Sequence, residues 1–425
     1  MSYRQTPSLK KEVDIGGSFY YYATIMKNST KIVMILIFFM VSDCTQKVVK
    51  PPLPYKEGPV EPLVVKIIKT EKEQKRERLK ERAYEIVKKL PLSIKCGQMI
   101  MSYPPSYDTV REYQIGGIIL NQNFIKDVST TIKMVEEYNK QTLIPLFFAI
   151  DQEGGLVNRL KHIDGFEKTP SAMELGNSFS DRELLEYGYN TGITMRKLGL
   201  NMNLAPSLDL SGKENALMHK QKRSLGDNPF KVKRKGESLI DGYRAGGILC
   251  FAKHYPGYSN VEINSDVTVA HFTSSPIEMA ENFTLFISLS HKIDGVIMSS
   301  VIYSFLDSLP ALFSKNIIDL LRITNPDILV MTDDLYAPAL RILDKENLSI
   351  ISTKAFMAGN DILLIMWDIK TPVLIEAIQN SIKVNQQLQR QVDNSVVRIL
   401  LAKEKVYPGL IDKLFKKWVK KEQTR

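Results

Sequence analysis

The chain has 425 residues, with 57 Lys and Arg against 47 Asp and Glu, a formal net charge of +10. Its 44% hydrophobic content is too high for a disordered chain, and three cysteines (Cys44, Cys96, Cys250) are too few to staple this length. The positive excess raises nucleic acid as a partner, but it sits at the ends: +3 in residues 1–65, +5 in 66–89 and +5 in 401–425, leaving −3 for residues 90–400.

Residues 32–41 read IVMILIFFMV, ten apolar residues behind Lys27 and Lys31. A membrane-spanning helix needs about 20 apolar residues, so this run predicts a signal-peptide h-region. Met26 begins a well-formed signal sequence, and residues 1–43 read as an upstream extension plus signal peptide. A buried strand or an uncleaved anchor are the alternatives. Cys44, just past the run, resembles the lipidation site of a bacterial lipoprotein, although Asp43 stands where a small residue is usual. The expectation is export to the bacterial cell envelope, with a membrane hold through the signal or a lipid on Cys44. Residues 44–70 carry Pro51, Pro52, Pro54, Pro59 and Pro62 and predict an extended tether. Next, Glu73, Glu77, Glu81 and Glu85 recur every four residues, and Leu79, Ala83, Ile86 and Leu90 form a narrow apolar stripe. That pattern predicts a solvated helix docked by one edge.

From residue 97 short apolar runs alternate with longer amphipathic stretches. The runs are 97–102, 116–121, 146–151, 200–206, 247–253, 294–300, 327–333 and 361–366. Continuous hydrophobicity is what strands buried on both faces need. Helical patterns fall at 129–141, 180–198, 276–290, 314–323 and 374–402. Eight β-then-α units predict an α/β fold, a (β/α)8 TIM barrel forming a single catalytic domain over residues 71–410. A doubly wound open sheet would call for a Gly-rich turn after its first strand, and none is present. Residues 411–425 read as a basic amphipathic tail, with Leu414, Trp418 and Val419 on one side, placed either on a membrane or against the barrel bottom. A monomer is expected. P-loop, C-x-x-C and H-E-x-x-H patterns are missing, so no metal or cofactor is expected. Cys96 and Cys250 lie in or beside apolar runs as packing residues.

A barrel places its chemistry where strands end. The polar residues there are Asp151, Asp209, Lys253-His254 and Asp333-Asp334. Five ordered segments carry a resemblance: Asp151-Gln152-Glu153-Gly154-Gly155 with Val157 and Arg159; Ala205-Pro206-Ser207-Leu208-Asp209; Arg223-Ser224-Leu225-Gly226; Lys253-His254-Tyr255-Pro256-Gly257; and Met331-Thr332-Asp333-Asp334-Leu335. Together they resemble family 3 glycoside hydrolases, in the bacterial β-N-acetylglucosaminidase branch, over about residues 82–405. The resemblance implies Asp333 as nucleophile of a retaining double displacement, which must be ionised. Arg223 and Lys253 are expected to keep it so. Asp151, Arg159, Arg223, Lys253 and His254 are implied as sugar ligands, and Asp334 and Asn264 as residues supporting them. No second domain is expected after the barrel, as in the short branch of the family.

The loop after Lys253–Gly257 departs from that family. The branch carries an Asp–His pair as general acid/base, where this chain has Asn264 and Asp266; Tyr258 replaces a further His, and Ser299-Ser300 an Ala-His pair. Asp266 then becomes the expected acid/base, with Glu262 second and His271 a distant third. The expected function is hydrolysis of terminal β-linked sugars, N-acetylglucosamine above all, from carbohydrate or peptidoglycan-derived substrate. The alternatives are an exported carbohydrate-binding pseudoenzyme and a β-glucosidase-like activity. The slightly acidic body suits an uncharged sugar and predicts no nucleic-acid partner.

Overall fold

The computed structural model describes residues 70–419 apart from residue 346. The expected signal peptide, Cys44, residues 44–69 of the expected tether and the last residues of the tail lie outside the described residues. Eight strands form one parallel sheet: β1 (Ile100–Ser102), β2 (Gly117–Leu120), β3 (Phe147–Ile150), β4 (Met202–Asn203), β5 (Leu249–Tyr255), β6 (Gly295–Met298), β7 (Leu329–Met331) and β8 (Leu363–Ile365). Each pairs with its sequence neighbour, and β1 also pairs with β8. A Met331–Ile362 bridge joins β7 to the residue before β8 and brings the ring round on itself. Every strand residue is buried, which is why the strands read as unbroken apolar runs.

Two boundaries differ from the sequence reading. The run 200–206 contributes only Met202–Asn203 to the ladder; Pro206 has no N–H to donate, and the chain turns off there. The helix expected over 374–402 is two helices, Thr371–Val384 and Leu388–Val406. The first lies on the barrel wall beside β1 and the second crosses the bottom, and one straight helix cannot follow both directions. Neither Pro nor Gly marks the break at 385–387, so no local signal announces it.

The crossing helix closes the N-terminal end of the barrel. Lys403 Nζ donates to Gln98 Oε1 at 2.7 Å and lies 5.0 Å from the centre of the Phe147 ring. Tyr407 donates to the Leu146 carbonyl at 2.7 Å, and Lys405 pairs with Asp294 at 2.6 Å. The helix Glu71–Lys89 starts on a Thr70 capping box and buries Ala83, Ile86 and Val87. The helix Leu410–Trp418 turns Leu410, Ile411 and Leu414 inward. Arg82 of the first helix pairs with Asp412 and lies over the Phe415 ring, which ties the two helices together. Among the described residues of the tail, Ile411 and Leu414 are thus covered by protein. With the bottom sealed, the C-terminal strand ends are the open face.

Candidate active site

The turn after β3 is built from Asp151-Gln152-Glu153-Gly154-Gly155. Gly154 and Gly155 have φ of +96° and +56°, and a Cβ on Gly154 would stand 2.2 Å from the Pro170 carbonyl oxygen. Glycine is therefore required for the chain to double back. Gln152 fixes the returning strand: its Oε1 accepts from the Arg159 and Leu160 amides at 2.8 and 3.1 Å. Arg159 then reaches across to Gln122 Oε1, beyond β2, at 3.2 Å.

β5 carries Lys253 and His254 into the opening. Lys253 Nζ lies 2.5 Å from Asp151 Oδ1 and 2.7 Å from Glu153 Oε1. Arg223, on the loop after β4, forks onto Glu153 with bonds of 3.0 and 2.9 Å, the bidentate geometry of guanidinium and carboxylate. Asp209 is fully buried and accepts from His254 Nδ1 at 2.7 Å, the Tyr258 amide at 2.9 Å and Ser207 Oγ at 3.0 Å. His254 Nε2 stands 3.4 Å from Arg223 Nη2. Asp151, Lys253, Glu153, Arg223, His254 and Asp209 thus form one continuous polar chain across the ends of β3, β4 and β5. Burial works to raise the Glu153 carboxyl, but Arg223 and Lys253 overcome it and hold the group well below the carboxylate range. Burial works to lower Lys253, yet Asp151 and Glu153 raise it, so it remains an ammonium. Within this chain the side chain of Asp151 is 13% exposed, against 2% for Glu153 and 0% for Asp209. Asp151 is therefore the carboxylate that can meet a ligand, while the other two brace the cations.

Asp333 and Asp334 follow β7 and behave differently from each other. Asp334 Oδ1 accepts from the Tyr336 and Met366 amides at 3.0 and 2.9 Å, which ties the loop after β7 to the end of β8. Burial raises the Asp334 carboxyl, against the pull of those amides. Asp333 accepts from the Asp334 amide at 2.9 Å. Burial lifts its carboxyl to about 6 and the charge of Asp266 adds to the rise, while His254, the Asp334 amide and Lys253 act in the opposite sense. The sequence assigned Lys253 and Arg223 to keeping Asp333 ionised. In the structure Lys253 contacts Asp151 and Glu153 and Arg223 contacts Glu153, while the charge of Lys253 still acts to lower Asp333.

The loop between Gly257 and Ala270 returns across this opening. Tyr258 bonds Ser265 through its hydroxyl and sets its ring edge-on to His254, 5.0 Å between centres. Burial, then the charges of Asp333, Asp266 and Asp209, hold its phenol well above the ordinary value, so it stays protonated. Asn264 Oδ1 accepts from the Asp266 amide at 3.1 Å and shapes the turn that presents Asp266. The Asp266 carbonyl accepts from the Ala339 amide at 3.2 Å, which docks the turn onto the segment following Asp333-Asp334. The Asp266 side chain is exposed. Glu262 bonds Asn215 on the loop after β4, and His271 bridges to Ile302 beyond β6. Asp266 is the member of this loop whose charge acts on both Asp333 and Asp334.

Sequence reasoning placed Asp209 among the strand-end polar residues without a specific role, and had no role for Glu153 or Tyr258. The first two stand inside quoted motifs, so their presence was visible. Which cation each would hold depends on how three strand ends converge. Tyr258 was visible only as a replaced histidine.

Residues 92–402 match the sequence family described as "Glycosyl hydrolase family 3 N terminal domain". The chain is 27% identical over 307 residues to the β-hexosaminidase LpqI of Mycobacterium tuberculosis, covering 69% of this chain and 77% of that protein. It is 26% identical over 206 residues to a β-hexosaminidase of Idiomarina loihiensis, covering 47% of this chain and 61% of that protein, less than two thirds of its length. Among solved structures, a family 3 β-N-acetylglucosaminidase from a Paenibacillus species superposes with a TM-score of 0.70 at 25% identity, over 76% of this chain and 63% of that one. A β-N-acetylhexosaminidase from Beutenbergia cavernae gives 0.68 at 26%, over 74% and 98%.

Proposed function

The chain belongs to glycosyl hydrolase family 3, and on that premise we propose that it removes terminal β-linked N-acetylglucosamine from carbohydrate chains with retention of configuration. The observation that carries the reading is the pairing of a carboxylate without a salt-bridge partner among the described residues, Asp333, with the Asp266 charge beside a braced set of donors and acceptors. Asp151, Arg159, Arg223, Lys253 and His254 hold the sugar. Asp333 attacks the anomeric carbon while Asp266, as a carboxylic acid, protonates the glycosidic oxygen. The bond from carbon to oxygen breaks and the alcohol leaves. Asp266, now a carboxylate, takes a proton from water, the water oxygen bonds to the anomeric carbon, and Asp333 is released as carboxylate. Two interacting carboxyls give up their first proton readily and hold the second, so the pair carries one charge and one proton, as a nucleophile and an acid require. Tyr258, kept protonated, adds no charge to the pair and bonds Ser265 on the loop that carries Asp266.

The h-region at 32–41 and Cys44 behind it support export to the bacterial envelope with a membrane anchor, and peptidoglycan fragments as the substrate met there. A monomer suits a barrel whose open face is its site. The test is the anomer first released from a β-N-acetylglucosaminide, read by proton NMR. β product that mutarotates afterwards is expected; α product overturns the double displacement. A second reading, a sugar-binding barrel without turnover, is favoured by the exposed Asp266 side chain and by Asn264 shaping the loop. It predicts binding of N-acetylglucosamine with no release from any β-glycoside.

A further inference from the structure

The polar chain described above lies on the β3–β5 side of the opening. The β7–β8 side has a different chemistry. Met366 is held through its amide to Asp334 Oδ1 at 2.9 Å, next in sequence to Asp333. The following residue, Trp367, is 46% exposed, and Ile369 beside it is 71% exposed. The indole is not loose. Its ring centre lies 4.6 Å from that of Tyr336, at 78° between planes, and the Arg341 guanidinium lies 4.6 Å from the Tyr336 ring on its own account. The Lys370 amide closes a turn onto the Trp367 carbonyl at 3.1 Å. Scattered exposed apolar residues are ordinary on protein surfaces. A braced indole one residue from a bond to the nucleophile's neighbour is a different case, because it stands where the loops after β7 and β8 meet, at the strand ends that carry Asp333 and Asp334.

A pyranose offers hydroxyls around its edge and an apolar C–H face. The β3–β5 side matches the edge; a flat, rigid, exposed indole matches the face. We propose that Trp367, backed by Tyr336 and Arg341, is the platform on which the leaving-group sugar stacks. This rests on the hydrolase reading above and deepens it by naming the class of aglycone: a pyranose rather than a small alcohol.

Two measurements test it. The first is the ratio of kcat/KM for N,N′-diacetylchitobiose to that for methyl β-N-acetylglucosaminide. In Trp367→Ala that ratio falls about tenfold, and Trp367→Phe recovers most of it, since a stacking contact of this kind is worth about one decade. The second uses the fact that the chain has two tryptophans, Trp367 and Trp418. In Trp418→Phe the remaining indole reports on the platform, and chitobiose should quench or shift its emission more than the methyl glycoside does. An unchanged ratio in an enzyme that turns over both substrates overturns the platform and leaves the hydrolase standing. A fluorescence response to chitobiose without any turnover supports the platform while the hydrolase reading falls. A silent Trp367 overturns the platform whatever the kinetics.

Discussion

The two ends of the barrel both bury charge, and they treat it in opposite ways. At the closed end Asp361 is fully buried, and each of its oxygens is answered twice: Oδ1 by Ser395 at 2.7 Å and Arg398 at 3.1 Å, Oδ2 by Arg322 at 2.7 Å and the Val330 amide at 3.0 Å. At the open end Glu153 and Asp209 are answered in the same manner. Asp333 is not. It accepts from one backbone amide and faces a like charge, and His254 and Lys253 offset burial only in part. Buried charges are tolerated when paired and hydrogen-bonded, so the group left in conflict marks where stability has been given up for chemistry.

The largest expected effect follows from removing that conflict. Asp333→Asn should lower kcat about 10⁴-fold, as loss of a nucleophile does, and should at the same time stabilise the fold. The sign follows from the raised value: the folded carboxyl titrates near 6 against an ordinary 3.8, so ionised Asp333 penalises the folded state, fully so above about 6 and not below 3.8. At pH 7 the variant should gain up to about 3 kcal/mol in thermal melts; a loss would show that Asp333 holds the loop rather than straining it.

At the other end Asp361→Ala should cost about 3–5 kcal/mol in urea unfolding, because the half-buried Arg322 and Arg398 would be left without their counter-charge. KM of the folded fraction should not change; a shifted KM would mean that the two ends are coupled. Between these, Asp266→Asn should slow turnover by about 10² or more when the leaving group is a sugar. In the wild type kcat/KM should fall as pH drops through about 6, where Asp333 takes up a proton. In Asp266→Asn that acid limb should move to lower pH, since the like charge that raises Asp333 is gone. A limb that stays in place would separate the two carboxyls.

The smallest effect concerns Lys403, the exception at the closed end. It is fully buried with an amide oxygen and a ring face for partners, and burial drives its amine well below the ordinary value. Lys403→Met should therefore leave stability within about 1 kcal/mol of wild type, or raise it. A loss of several kcal/mol would show that the bottom depends on this group as it does on Asp361.

The eight strands were legible because burial on both faces leaves a continuous apolar record, and the strand-end acids because charge at such positions needs a reason. The β4 boundary and the break at 385–387 were not, since ladder pairing and helix direction depend on neighbours far away in sequence. The same division runs through the site. Asp151, Lys253, His254 and Asp333 could be named from their motifs. That Lys253 would face Asp151 and Glu153, or that a turn shaped by Asn264 would bring the Asp266 charge to bear on Asp333, could not.

The amino-acid sequence by itself determined the barrel, its order of strands and the chemical identity of the groups at their ends, because hydrophobic period and residue type are local properties. Tertiary structure alone decided which of those groups were neutralised and which was left under strain. Coulombic and desolvation energies depend on distance and burial, and both arise only when β3, β4, β5 and β7 converge on one opening.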